Sequence, residues 1–136
     1  MIFENSAYYD REQFFKLEKP YGTFYFGEKY ILSEMHEGIH FDWSMVKDLL
    51  NDIEAYYENE VKLAYISNRI HSYSRDPHNW QKLSALNFIV ASAIVIYNDM
   101  AYLNATLEKR FSKESIKRCQ CLNEAIEWVL DLKEFN

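Results

Sequence analysis

Residues 88–97, FIVASAIVIY, carry no charge and are interrupted only by Ser92. Ile89, Val90, Ile94, Val95 and Ile96 leave no polar face, so a strand here must be covered on both sides. A sheet with one wet face alternates apolar and polar residues; a strand without that alternation belongs in a parallel or mixed sheet sandwiched by helices. The run is also too short to cross a bilayer, which takes roughly 20 residues. It reads as a buried central strand, and it restricts the chain to a layered α/β arrangement.

The flanking sequence supplies the other layers. Residues 23–26 and 30–35 are β-rich runs on either side of Gly27-Glu28-Lys29, a connection that predicts a hairpin. Residues 14–18 fit an edge strand that stops before Pro20. Asp42 caps a helix in which Trp43, Val46, Leu49, Leu50, Ile53 and Tyr57 recur at helical spacing. A short apolar strand follows at residues 61–67. Asp76-Pro77 then opens a second helix that runs to about residue 86, with aspartate as cap and proline at the first helical position. After the apolar run, Asn98 or Asp99 caps a third helix with Met100, Leu103, Leu107 and Phe111 on one face. Residues 115–121 make a fifth or edge strand, and Asn123 caps a last helix bearing Ala125, Ile126, Val129, Leu130 and Leu132.

A hairpin followed by three helix-then-strand steps and a closing helix predicts a single mixed, mostly parallel sheet with helices packed on it. Residues 1–13 read as a polar arm that leads into one domain over residues 14–136. A chain of 136 residues has no room for two cores, yet it buries enough surface to fold without metal or disulfide. Its 11 Tyr, 9 Phe and 3 Trp suit a bulky core first, and an aromatic-lined pocket or an interface second.

Charge excludes one class of partner. The net charge of −6 repels a phosphate backbone, and no basic cluster offsets it, so nucleic acid is not an expected partner. Cys119 and Cys121 lie two apart in the predicted strand, which points both thiols to one face. A disulfide between them would be strained, and two thiolates are too few for a structural zinc. They read as reduced packing cysteines. With no secretion signal and no membrane span, a cytoplasmic location is expected.

Four stretches together resemble a known family. Glu37-Gly38 through the first helix, then LAYISNRIHSYSRDP, NFIVASAIVIYND and LNEAIEWVL, are similar to the SpoIIAA-like group within the STAS and SEC14-type domains. The resemblance spans roughly residues 14–132, with ISNR and the following SYS as its sharpest part. It implies a STAS/SpoIIAA-like α/β fold and a non-catalytic binding or regulatory role. Its SEC14 side implies an alternative, a carrier of a small apolar or amphipathic, lipid-like ligand. Anti-sigma-factor antagonists of this group carry a phosphorylatable serine in an Asp-Ser-Ser-Gly-like turn. The matching turn here, residues 67–76, has serines without that motif.

In open α/β sheets, ligands bind beyond the carboxyl ends of the parallel strands. That rule selects the turns at residues 36–40, 68–76 and 98–99, and with them His36, His40, Asn68, Arg69, Ser72, Ser74, Arg75 and Asn98 as the surface for a protein partner or small ligand. Arg69 follows directly from a buried strand. Its guanidinium either binds an anion through two parallel bonds or braces the long loop after it. His36, His40 and His71 with Glu37 lack a metal-binding spacing such as H-E-x-x-H, so no metal is expected. Ser72 and Ser74 lack a G-x-S-x-G elbow. Three glycines cannot build a phosphate-cradling loop, so no cofactor is expected. An enzyme using the strand-end histidines is the third alternative. Monomer and homodimer both fit.

Overall fold

A computed structural model describes residues 1–57, 61–84, 86–98, 108 and 115–136. Two 3-10 turns, Phe3–Asn5 and Tyr9–Arg11, precede β1 (Phe15–Lys19), β2 (Gly22–Phe26) and β3 (Tyr30–Met35). A two-residue strand, β4 (His40–Phe41), leads into α1 (Trp43–Tyr56) and then β5 (Leu63–Asn68). A second two-residue strand, β6 (Ser74–Arg75), precedes α2 (Asn79–Ser84) and β7 (Ile89–Val95). The chain ends with β8 (Ser115–Cys119), α3 (Leu122–Leu130) and a 3-10 turn at Lys133–Phe135.

The six main strands form one mixed sheet in the order β1-β2-β3-β5-β7-β8. β1, β2 and β3 are antiparallel neighbours, while β3, β5, β7 and β8 run parallel. The predicted hairpin is β2–β3, with Phe26 opposite Ile31. Asp42 caps α1 through a bond accepted from the Met45 N–H. This is the α/β architecture expected from the alternation of elements.

Period-two alternation sends successive side chains of each strand to opposite faces, and each face has its own core. On one, Leu32, Ala64, Ile66, Ala93 and Val95 pack against Leu122, Ala125, Ile126 and Val129 of α3. Phe3 of the amino-terminal arm completes that layer, wholly buried, with ring centroids 5.0 Å from Phe14 and 5.1 Å from Tyr25. Much of the aromatic content is therefore core, and the arm is part of it. On the other face, Phe24, Phe26, Ile31 and Leu63 meet Leu49 and Ile53 of α1, while Ile94 and Ile116 meet Trp80 of α2.

Several local expectations need correction. The apolar strand lies fifth of six, between β5 and the edge strand β8, so β3 and β5 hold the centre. Its first residues, Ile89 and Val90, are only half-buried, at the end where the register with β5 shifts so that Leu63 faces Ile89 and Ala64 faces Ala91. The last strand stops at Cys119, and the last helix starts at Leu122 with Cys121, not Asn123, at its cap position. Cys121 has left the strand, so the two thiols do not share a face: Cys119 is buried and Cys121 exposed. Cys121 makes no side-chain cap bond, and Glu124, in the first turn, accepts a bond from the Gln120 N–H just before the cap position. The predicted third helix falls outside the described residues except at Glu108, which is helical and buried. Among the described residues, no helix is long and apolar enough to cross a membrane.

Candidate functional site

β3, β5 and β7 end at Met35, Asn68 and Val95 on one side of the molecule. The loops after β3 and β5 are joined there. β4 and β6 pair in parallel, His40 with Ser74 and Phe41 with Arg75. The Ser74 N–H donates to the Ile39 carbonyl at 2.9 Å, and the Gly38 N–H donates to the Ser72 carbonyl at 2.8 Å. Gly38 reaches that position with φ of +80°, a conformation that side chains disfavour. Two loops thus become one hydrogen-bonded platform.

His40 belongs to that platform, its Nδ1 lying 2.7 Å from the Ser74 hydroxyl, and both side chains are exposed. Ser72 enters through its carbonyl and leaves its side chain exposed. His36, also exposed, sits at the platform's start with Nδ1 3.1 Å from the Pro20 carbonyl. Asn98 is exposed beyond β7, outside the ladder.

Asn68 and Arg69 part to opposite faces of the sheet. Asn68 shares a face with Ile66 and is buried. Its amide donates to Glu34 Oε2 at 2.8 Å and to the Met1 carbonyl, and its carbonyl accepts from the Tyr97 hydroxyl at 2.7 Å. Glu34 also accepts the Phe3 N–H at 2.7 Å. Burial, with the Glu34 charge behind it, pushes the Tyr97 phenol up to about 12. These bonds fasten the amino-terminal arm to the strand ends.

Arg69 shares a face with Ser67 and is also buried, at 5% exposure. It grips Glu108 in a bidentate fork, Nη1 to Oε2 at 2.6 Å and Nη2 to Oε1 at 2.7 Å, while Nε donates to the Ser67 hydroxyl. The Trp80 indole N–H donates to Glu108 Oε1 at 2.8 Å. Arg75 Nε lies 2.9 Å from Oε2 as an ion pair that is off the hydrogen-bond direction. Burial alone would raise the Glu108 carboxyl, but the two arginines and the indole hold it below the usual carboxylate range. Arg69 is therefore a brace that ties the end of β5 and the platform to α2 and Glu108. Sequence reasoning selected Arg69 and Arg75 and missed Glu108, Trp80 and Glu34. The signal for Glu108 is weak: it stands three residues before Phe111, at the edge of a predicted apolar stripe.

Beside this bracket, a cleft of about 60 Å³ opens between α1 and α2. Ile31 and Tyr65 form its floor, Leu49, Leu50 and Trp80 stand among its walls, and Arg69, Arg75, Asp76, Asn79 and Glu108 line its polar side. Among the described residues, no cluster of three histidine, cysteine or carboxylate side chains converges.

No protein-family model matches the chain, and no curated protein matches it. Its fold has a counterpart among solved structures, an uncharacterized protein from Shewanella loihica PV-4 of the DUF3478 family, described as having a SpoIIAA-like fold. The two superpose with a TM-score of 0.54 over 86% of this chain and 92% of that one, at 10% sequence identity. At that identity the likeness is one of architecture, and this chain carries a SpoIIAA-like fold.

Proposed function

We propose that the protein is a non-catalytic binding or regulatory module of STAS type whose contact surface is the strand-end platform. The β4–β6 ladder carries this reading. It fixes two loops before any partner arrives, so the ordering cost of binding is already met. His36, His40, Ser72 and Ser74 supply exposed hydrogen-bonding groups on that surface, with Asn98 beside it. The charged groups beneath it, Arg69 and Glu108, are committed to one another, which suits a scaffold better than acid–base chemistry. The partner is a protein or a small ligand rather than nucleic acid, met in the cytoplasm by a monomer or homodimer.

Native mass spectrometry of protein purified from its own host, followed by NMR mapping with whatever it retains, tests the reading. Shift changes at His36, His40, Ser72 and Ser74 support it. Changes centred on the opposite end of the sheet, around Gly27 and Ser115, contradict it. A second reading, a carrier of a small amphipathic ligand, is favoured by the apolar cleft between α1 and α2.

A further inference from the structure

β1 is paired along one side only. It meets β2 from Phe15 to Lys19 and stands first in the order of the sheet, so its outer side has no neighbouring strand among the described residues. A bare edge of main-chain N–H and C=O groups is a template for another strand. Pro20, which has no N–H, closes the edge at its carboxyl end.

The side chains of this edge divide by face. Phe15, Leu17 and Lys19 lie on the α1 side. There Phe15 stacks on Tyr56 with ring centroids 4.9 Å apart, and Lys19 Nζ lies 2.8 Å from Asp48 and 2.9 Å from Asp52. Phe15 and Tyr56 stay 44% and 43% exposed, an apolar patch at one end of the strand. Lys16 and Glu18 lie on the other side, where Lys16 Nζ is 2.7 Å from Glu4 and 3.6 Å from Glu18.

Symmetry restricts how a second copy meets such an edge. A two-fold axis joining two identical edges stands perpendicular to the sheet and makes the strands antiparallel. Residues opposite one another then point to the same face, so the register is centred on a residue. Lys16, Leu17 and Glu18 are the centres that pair at least three residues of β1. Centring on Lys16 sets lysine against lysine, and centring on Glu18 sets glutamate against glutamate, both destabilising. Centring on Leu17 pairs all five residues and sets Lys16 against the partner's Glu18, and Glu18 against the partner's Lys16.

We propose that the protein self-associates through β1 as a symmetric antiparallel dimer centred on Leu17, its two sheets joined into one. Phe15 faces the partner's Lys19 in this register. The methylene stem of that lysine covers the exposed ring, while its ammonium stays with the carboxylates of α1. β1 and β3 run the same way, since each is antiparallel to β2. The two strand-end platforms therefore point in opposite directions and both stay open, which makes the dimer bivalent. Five residues a side form a small contact of the weakly associating class.

Sedimentation velocity of the whole protein, from about 10 μM to about 1 mM, should show a reversible monomer–dimer equilibrium. Glu18→Lys sets lysine against lysine twice across the axis, and Lys16→Glu sets glutamate against glutamate twice. Each should weaken dimerisation about tenfold or more, with circular dichroism showing that the variant is folded. Mixed in equal amounts, the two variants regain both unlike pairs and should form a heterodimer about tenfold or more tighter than either variant's own dimer. If repulsion from Glu4 unfolds Lys16→Glu, Glu18→Lys and NMR carry the test. Phe15 and Lys19 sit at opposite ends of β1, so an NOE between them in isotope-mixed protein reports the register. A protein that stays monomeric over the whole range would overturn the proposal. So would a dimer that Glu18→Lys leaves unchanged, or one whose intermolecular NOEs fall outside β1.

Discussion

Replacing Glu108 by glutamine keeps the shape of the side chain and removes its charge. In the native protein that carboxylate is 3% exposed and takes both arms of Arg69, the Trp80 indole and the Arg75 ion pair. The variant leaves the Arg69 charge buried with a neutral partner. Breaking a buried pair from one side costs about 3–5 kcal/mol, against a total of about 5–15 kcal/mol for a domain of this kind. At roughly 3–4 °C per kcal/mol for this chain length, the midpoint of thermal unfolding should fall by about 10–20 °C. Urea titration with an unchanged m-value is the primary assay. Exchanging the pair for apolar residues, Arg69→Met with Glu108→Leu, removes both desolvation penalties and should be less destabilising than either single change. The pH dependence has a defined sign. Glu108 titrates lower in the folded state than in the unfolded one, so its contribution is complete above the unfolded value of ~4.3 and is lost as pH falls through the folded value. Wild type should therefore lose stability in acid more steeply than Glu108→Gln. A cost below about 1 kcal/mol for Glu108→Gln would refute the reasoning, because an exposed pair is worth no more than that.

Three further outcomes follow from the core. Phe3→Ala should cost about 3–5 kcal/mol in urea titration, as large as a change in the central sheet, because Phe3 is wholly buried; a cost near zero would mean that the arm is not packed on the sheet. One thiol, Cys121, should react with an aromatic disulfide reagent in the native protein, and Cys119 only after unfolding, since burial pushes its thiol up to about 12. Ile94→Asp should prevent folding, because Ile94 is fully buried, whereas Val90→Asp at the half-buried end of β7 should leave a folded but less stable protein; equal solubility and cooperativity of both would place the strand wrongly.

The architecture was legible because it depends on periodicities that local sequence carries. The apolar run at residues 88–97 demanded cover on both faces, and the apolar spacing of the last helix, with Ala125, Ile126 and Val129, supplied it on one of them. What depends on long-range pairing was not legible. The β4–β6 ladder joins residues 34 apart through strands of two residues each, too short for any alternation to register. Cys121 was misplaced because the strand stops at Cys119, where its ladder with β7 ends, and the helix starts at Leu122 without a capping side chain to mark it. Arg69 was selected for its position after a buried strand, but the sequence left brace and ligand contact open. Its partner Glu108, held 2.6 Å away across 39 residues of chain, is a tertiary contact that no local pattern announces.

Amide hydrogen exchange of the unliganded protein tests the pre-formed platform most directly. The Gly38 N–H is held by the Ser72 carbonyl and the Ser74 N–H by the Ile39 carbonyl, both between loops that would otherwise be open to solvent. If the platform is fixed before binding, these two amides should exchange orders of magnitude more slowly than the exposed amide of Glu37. Exchange of Gly38 and Ser74 at the rate of an unstructured loop would contradict the account, because the strand-end surface would then have to be ordered by its partner.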